Sequence, residues 1–148
     1  MTADDRIVML GLFLSYMLLV SAIWLGVIAL WISLIVICGI TAYFSFTFFR
    51  SSEHFGKFLY FVLYVFLLIA YLALIYKLFG IVDTSTNEEI KPSLLNAAYF
   101  SVVTWTTLGY GDFRPIDQLK PFVMAEDLMG YIFMALLVSK VLYMAQKR

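Results

Sequence analysis

Cysteine is nearly absent here: Cys38 stands alone among 148 residues, so no disulfide can form within the chain. Its place deep in an apolar run reads as a buried structural thiol, not a redox or metal centre. Charge is scarce too. Only 14% of residues are Asp, Glu, Lys or Arg, ten acids balance ten bases, and no basic stripe is present to hold nucleic acid. One histidine and one cysteine make no Cys/His cluster for a metal, and the apolar runs hold no nucleophile beside a base, so an enzyme is not expected. From Ile7 to Phe49 there is no charged residue, and hence none of the spaced arginines or lysines of a voltage sensor. Internal repeats and low-complexity tracts are missing as well.

What is present is apolar surface. Hydrophobic residues make up 64% of the chain, and the mean hydropathy of +0.95 places it in a bilayer. The charges gather at Asp4 to Arg6, Arg50 to Lys57, Asp83 to Lys91, Asp112 to Lys120, and Lys147-Arg148, which marks these as water-facing turns. The acidic start and the absence of a small-residue cleavage site suggest an N-terminus that is retained.

The uncharged run from Ile7 to Phe49 spans about forty positions, and one helical crossing takes about 20, so two crossings fold into it. Its least apolar window, Ser21 to Gly26, is the expected place of a tight helical hairpin. Residues 1–49 thus form an N-terminal hairpin, and 50–57 a loop whose Arg50, His54 and Lys57 outnumber Glu53 and suggest the cytoplasmic side. Residues 58–148 follow as a separate unit. Within it a third span covers 58–79, a stretch too short to cross covers 93–106, and a last span covers 121–145. The expectation is an all-α membrane protein of four transmembrane helices, with a re-entrant helix between the last two.

The re-entrant helix runs into Thr106-Thr107-Leu108-Gly109-Tyr110-Gly111-Asp112. Backbone without regular hydrogen bonds survives at membrane depth only where protein buries it or where it lines a water-filled path. Alternating glycines permit backbone conformations closed to other residues, so successive carbonyls can turn toward one axis, and stacked carbonyl oxygens can replace the water around a cation. Six specified residues at about one in twenty each would arise by chance in so short a chain on the order of once in a million. A mere structural turn needs only the glycines.

The run resembles the signature of potassium channels, with Leu108 where valine or isoleucine is usual. From the third span onward, the layout is similar to the outer helix, pore helix, filter (107–112) and inner helix of two-span prokaryotic potassium channels. The first two spans lie outside the match. The resemblance implies that Thr107, Leu108, Gly109, Tyr110 and Gly111 form the ion-binding filter. Potassium would be the permeant ion at Thr107 to Tyr110, no other cofactor would be needed, and Thr106, Asp112 and Tyr99 would support the filter from behind. Each chain supplies one filter strand and a carbonyl cage needs four, which implies a homotetramer among membrane lipids. Tyr99 and Phe100 replace the frequent tryptophan pair, and Val103 stands where some members carry a carboxylate.

In the last span, Gly130 matches the position where similar channels bend, although glycine also serves close helix packing. Met134, Val138 and Leu142 recur every fourth residue on one stripe, suited either to lining a pore and gating it or to ordinary packing. Glu126 and Asp127 sit about one turn inside this span, where an unpaired charge is expensive, and Lys77 is the expected partner. Together these features point to a potassium channel subunit that is not voltage-gated, in the cell membrane with both termini cytoplasmic. A nonselective cation pore or a non-conducting regulatory subunit are the alternatives.

Overall fold

A computed structural model describes residues 3–50 and 55–146. Residues 51–54 of the expected loop, including Glu53 and His54, lie outside the described residues, while Arg50 ends α2 and Lys57 lies in α3. Long helices cover Ala3–Leu25 (α1), Val27–Arg50 (α2) and Phe55–Phe79 (α3); a 12-residue helix, Leu94–Trp105 (α4), precedes the last long one, Lys120–Gln146 (α5). Four stretches are long and apolar enough to cross a membrane: Arg6–Leu25, Ile28–Phe48, Phe58–Phe79 and Asp117–Tyr143. Helix α4 is about 18 Å long at 1.5 Å per residue and stops short of a crossing. The expected order of three spans, a half-span and a final span is the one observed.

The first reversal comes at the last residue of the predicted window. Ser21 through Leu25 stay helical, the Ser21 hydroxyl donating to the Leu18 carbonyl at 2.7 Å, so local polarity does not break the helix. Gly26 does, by adopting φ +69°, a left-handed conformation costly for residues with a Cβ. Beyond it α2 folds back on α1 so closely that a Cβ on Gly11 would lie 1.8 Å from the Ile40 side chain.

This hairpin rests on the chain's own third helix. The Tyr16 hydroxyl donates to the Leu67 carbonyl at 2.8 Å, Ser33 and Tyr71 share a hydrogen bond at 2.6 Å, and Thr41 and Tyr64 share one at 3.1 Å. In hydrocarbon such groups have no water to turn to, so the first pair fixes α1 on α3 and the other two fix the register of α2 on α3. Aromatic rings fill the rest of the seam. Phe44 lies 4.4 Å from Tyr64 and 6.1 Å from Phe133 of α5, Phe48 lies 4.8 Å from Phe61, and Trp31 meets Phe122 at 6.1 Å. Cys38 is half-buried against this core, in keeping with a structural thiol.

The two polar loops hold more order than their composition announced. Ile81–Asp83 (β1), Glu88–Ile90 (β2) and Phe113–Pro115 (β3) form an antiparallel sheet in the order β2-β1-β3, with Asp83 opposite both Glu88 and Phe113. Strands of three residues are too short to show a period of two, and pairing across about thirty residues leaves no local trace. The sheet stands at the end of the α3 and α5 spans, beside the Thr106–Asp112 segment.

Candidate functional site

Helix α4 is capped at its start by Ser93, whose hydroxyl accepts the Asn96 N–H at 3.1 Å. Its apolar face, Ala97, Phe100 and Trp105, is buried. The observed bounds, Leu94–Trp105 with Ser93 and Thr106 as caps, match the expected 93–106. At its far end the backbone does not stop so much as hand over. The N–H groups of Thr106, Thr107 and Leu108 donate to the carbonyls of Val102, Thr104 and Val103 at 3.0, 2.9 and 3.0 Å. The loop is thereby pinned to the helix that precedes it.

From there the handedness alternates. Thr107 has φ +56°, Gly109 +54° and Gly111 +79°, whereas Leu108 and Tyr110 between them stay on the ordinary side. In a β-strand successive carbonyls point to opposite sides. Alternation in the sign of φ can turn successive peptide units the same way, so that their oxygens form a row on one side. A row of oxygens suits a cation. Glycine enters these conformations at little cost, while Thr107 pays for its own, a strain of the kind that collects at functional sites. The Thr106–Asp112 segment is exposed along its length in the single chain, Leu108 at 59% and Tyr110 at 67%.

The residues expected to support the segment are Tyr99, Thr106 and Asp112. Tyr99 stacks on Tyr110 with ring centroids 6.3 Å apart and planes 8° from parallel, and the nearby Asp112 carboxylate holds its hydroxyl above the ordinary tyrosine value. Asp112 accepts the Phe113 N–H at 3.1 Å. The Thr106 hydroxyl turns back onto the Val102 carbonyl at 2.7 Å. Val103 is buried and contributes only its backbone oxygen.

Below the segment a recess of about 550 Å³ brings Thr106 and Thr107 together with Gly130, Met134 and Val138. Leu142 is exposed on the same stripe but lies outside this recess. Gly130 packs tightly: a Cβ there would lie 2.1 Å from the Trp105 carbonyl oxygen. The absence of a side chain is what lets α5 touch the backbone just ahead of Thr106.

The expected pairing of Lys77 with Glu126 or Asp127 is not found. Lys77 Nζ donates to the Pro92 carbonyl at 2.7 Å. Glu126, fully buried, takes the Tyr76 hydroxyl on Oε2 and the Ser101 hydroxyl on Oε1, both at 2.5 Å. Lys77 is one residue and about 100° of helix beyond Tyr76, so it faces elsewhere. The carboxylate ties α3, α4 and α5 together through neutral donors. Two hydroxyls on different helices carry no sequence signal that would single them out.

A family model described as "Ion channel" matches residues 63–147, more than half of the chain. The chain belongs to the ion channel family. Such a channel is a multi-pass membrane protein and not an enzyme, and the resemblance to potassium-channel pores is supported by relatives bearing that name. Two pore potassium channel a of Oryza sativa subsp. japonica is 39% identical over 89 residues, 59% of this chain and 24% of the relative. Two-pore potassium channel 5 of Arabidopsis thaliana is 37% identical over 79 residues, 52% of this chain and 19% of the relative. This ion channel therefore spans a quarter or less of the length of these curated relatives. No solved structure matches it.

Proposed function

We propose that the chain is a potassium-selective channel subunit in which the backbone oxygens of Thr107, Leu108, Gly109 and Tyr110 strip and replace the hydration shell of potassium. The observation that supports this reading is the alternation of φ sign through Thr107, Leu108, Gly109 and Tyr110, a backbone pattern that can turn their carbonyls to one side. The names of the relatives favour the same ion. No cofactor takes part, and potassium is the cargo. The dipole of α4 points its negative end at the cavity below, and the Thr107 hydroxyl adds to the innermost ring. Met134, Val138 and Leu142 form the inner wall, where a narrowed apolar ring closes the path by excluding water.

Four strands make one cage. The Thr107 to Tyr110 strand is one of the four such a cage needs, and four copies of this unit in a homotetramer would supply them. The pore unit is 58–148, with the hairpin 1–49 attached outside it, in the cell membrane and with both termini cytoplasmic. The test is the reversal potential of purified protein in bilayers under opposed potassium and sodium gradients. A shift toward the potassium equilibrium potential is expected. Equal permeability would favour a nonselective pore, and no current from assembled tetramers a non-conducting subunit.

A further inference from the structure

The outer end of the filter is held by a residue of the loop after α3. Strand β1 pairs with β3 so that Asp83 faces Phe113, and the next step of that pairing sets Thr84 beside Asp112. The Thr84 N–H donates to the Asp112 carbonyl at 3.0 Å, and the Thr84 Oγ1 lies 2.6 Å from the carbonyl oxygens of both Gly111 and Asp112. A hydroxyl has one proton to give. The Asp112 carbonyl already accepts the Thr84 N–H, which leaves the hydroxyl proton as the donor to the Gly111 carbonyl.

We propose that Thr84 is a positioning residue for the filter, resting on the reading of Thr107 to Tyr110 as a potassium-selective row. Its hydroxyl holds the Gly111 carbonyl toward the sheet, which ends the row of ion-facing oxygens at Tyr110 and keeps the outermost ring from collapsing when ions leave it. Asp83 sets the clamp from the other side: its carboxylate accepts the Ser85 N–H at 2.9 Å and the Ser85 hydroxyl at 2.6 Å, closing a tight turn around Thr84. Gly111 has no side chain of its own to fix its peptide, and its φ of +79° leaves either orientation of the carbonyl open. The Thr84 bond selects one of them.

An emptied ring is the state that needs the clamp, so the readout is the dependence on outside potassium. Wild type, Thr84→Val and Thr84→Ser are compared as purified tetramers in bilayers, with the external solution switched from high to low potassium. Thr84→Val keeps the shape and loses the donor. It is expected to lose current roughly fivefold faster in low external potassium, the factor corresponding to one ordinary hydrogen bond, and to match wild type in high potassium. Thr84→Ser, which retains the hydroxyl, is expected to behave as wild type. Thr84→Ala serves as a second donor-free variant if the valine form does not assemble. Equal decay in wild type and donor-free variants, or slower current in them at every potassium concentration, overturns the clamp while leaving the channel reading intact. A wild type without potassium selectivity overturns both.

Discussion

At the scale of single residues, Gly130 and Glu126 carry the sharpest consequences. Gly130→Ala places a methyl group 2.1 Å from the Trp105 oxygen, backbone against backbone, where neither side has a flexible end to yield. Overpacking of this kind costs about 1–3 kcal/mol. Because Trp105 immediately precedes Thr106, the displacement is expected to reach the filter, altering ion preference as well as lowering the tetramer's melting temperature. Gly39→Ala is the control: it is exposed on α2 with nothing within 4 Å, and alanine there is expected to stabilise by up to about 1 kcal/mol. Detergent melting and reversal potentials of the two variants, measured side by side, separate a packing effect from a general intolerance of substitution. For Glu126, removing one hydroxyl by Tyr76→Phe leaves a buried carboxylate oxygen without its donor, at about 1–3 kcal/mol. Glu126→Gln on top of Tyr76→Phe is expected to recover part of the loss, because a neutral amide is cheaper to leave half-paired. Simple additivity in the melting data would mean that the two side chains do not interact.

At the scale of elements, what the sequence showed depended on how local the cause was. The four spans and α4 were legible because length and apolarity act within one segment, and the irregular backbone at Gly109 and Gly111 because glycine is a backbone requirement there. Gly26 was within the expected window but was identified by its φ, not by the polarity of Ser21, which hydrogen-bonds its own helix. The β1–β3 pairing, the Thr84 contacts and the Glu126 cluster join residues between 25 and 50 apart, so they exist only once the helices are placed. The Asp83 turn gives a test at this level. Its carboxyl is held below the ordinary carboxylate range by the Ser85 hydroxyl and N–H. With the folded value depressed, the turn's stability is fully present above the unfolded value of about 3.9 and is lost as pH falls through the lower folded one. Protection of the Ser85 amide, taken relative to the intrinsic exchange rate at each pH, is therefore expected to hold through neutral pH and to fall only in strong acid, and Asp83→Asn to weaken that dependence. Protection lost near neutral pH would mean that another group controls the turn.

At the scale of the whole molecule, the hairpin is placed to act on the inner helix and not merely to shield it from lipid. Helix α2 meets α5 on both sides of Gly130: Trp31 touches Phe122 toward the sheet, while Phe44 packs on Phe133 and Phe48 lies under the Lys140 ammonium at 5.3 Å toward the other end. Its hydrogen bonds to Tyr71 and Tyr64 meanwhile anchor it to α3, which does not line the recess under the filter. A bend of α5 at Gly130 would move Phe133 and Lys140 against a fixed Phe44 and Phe48 and leave Trp31 on Phe122 undisturbed. The contacts below Gly130 therefore bias the straight or the bent form by whatever packing they gain in it, and a bias can only equal that difference. Phe44→Ala removes rings from Tyr64 and Phe133 at once, at about 3–5 kcal/mol if the core does not close around the space, so melting will fall. The distinguishing measurement is single-channel: open probability is expected to change with the potassium-to-sodium permeability ratio unaltered, since the filter segment touches α4 and the sheet, not α2. Trp31→Ala, above the bend, is expected to lower stability without moving open probability. Were both variants to shift gating equally, α2 would be stabilising the subunit as a whole, and the position of Gly130 between the two contacts would have no bearing on opening.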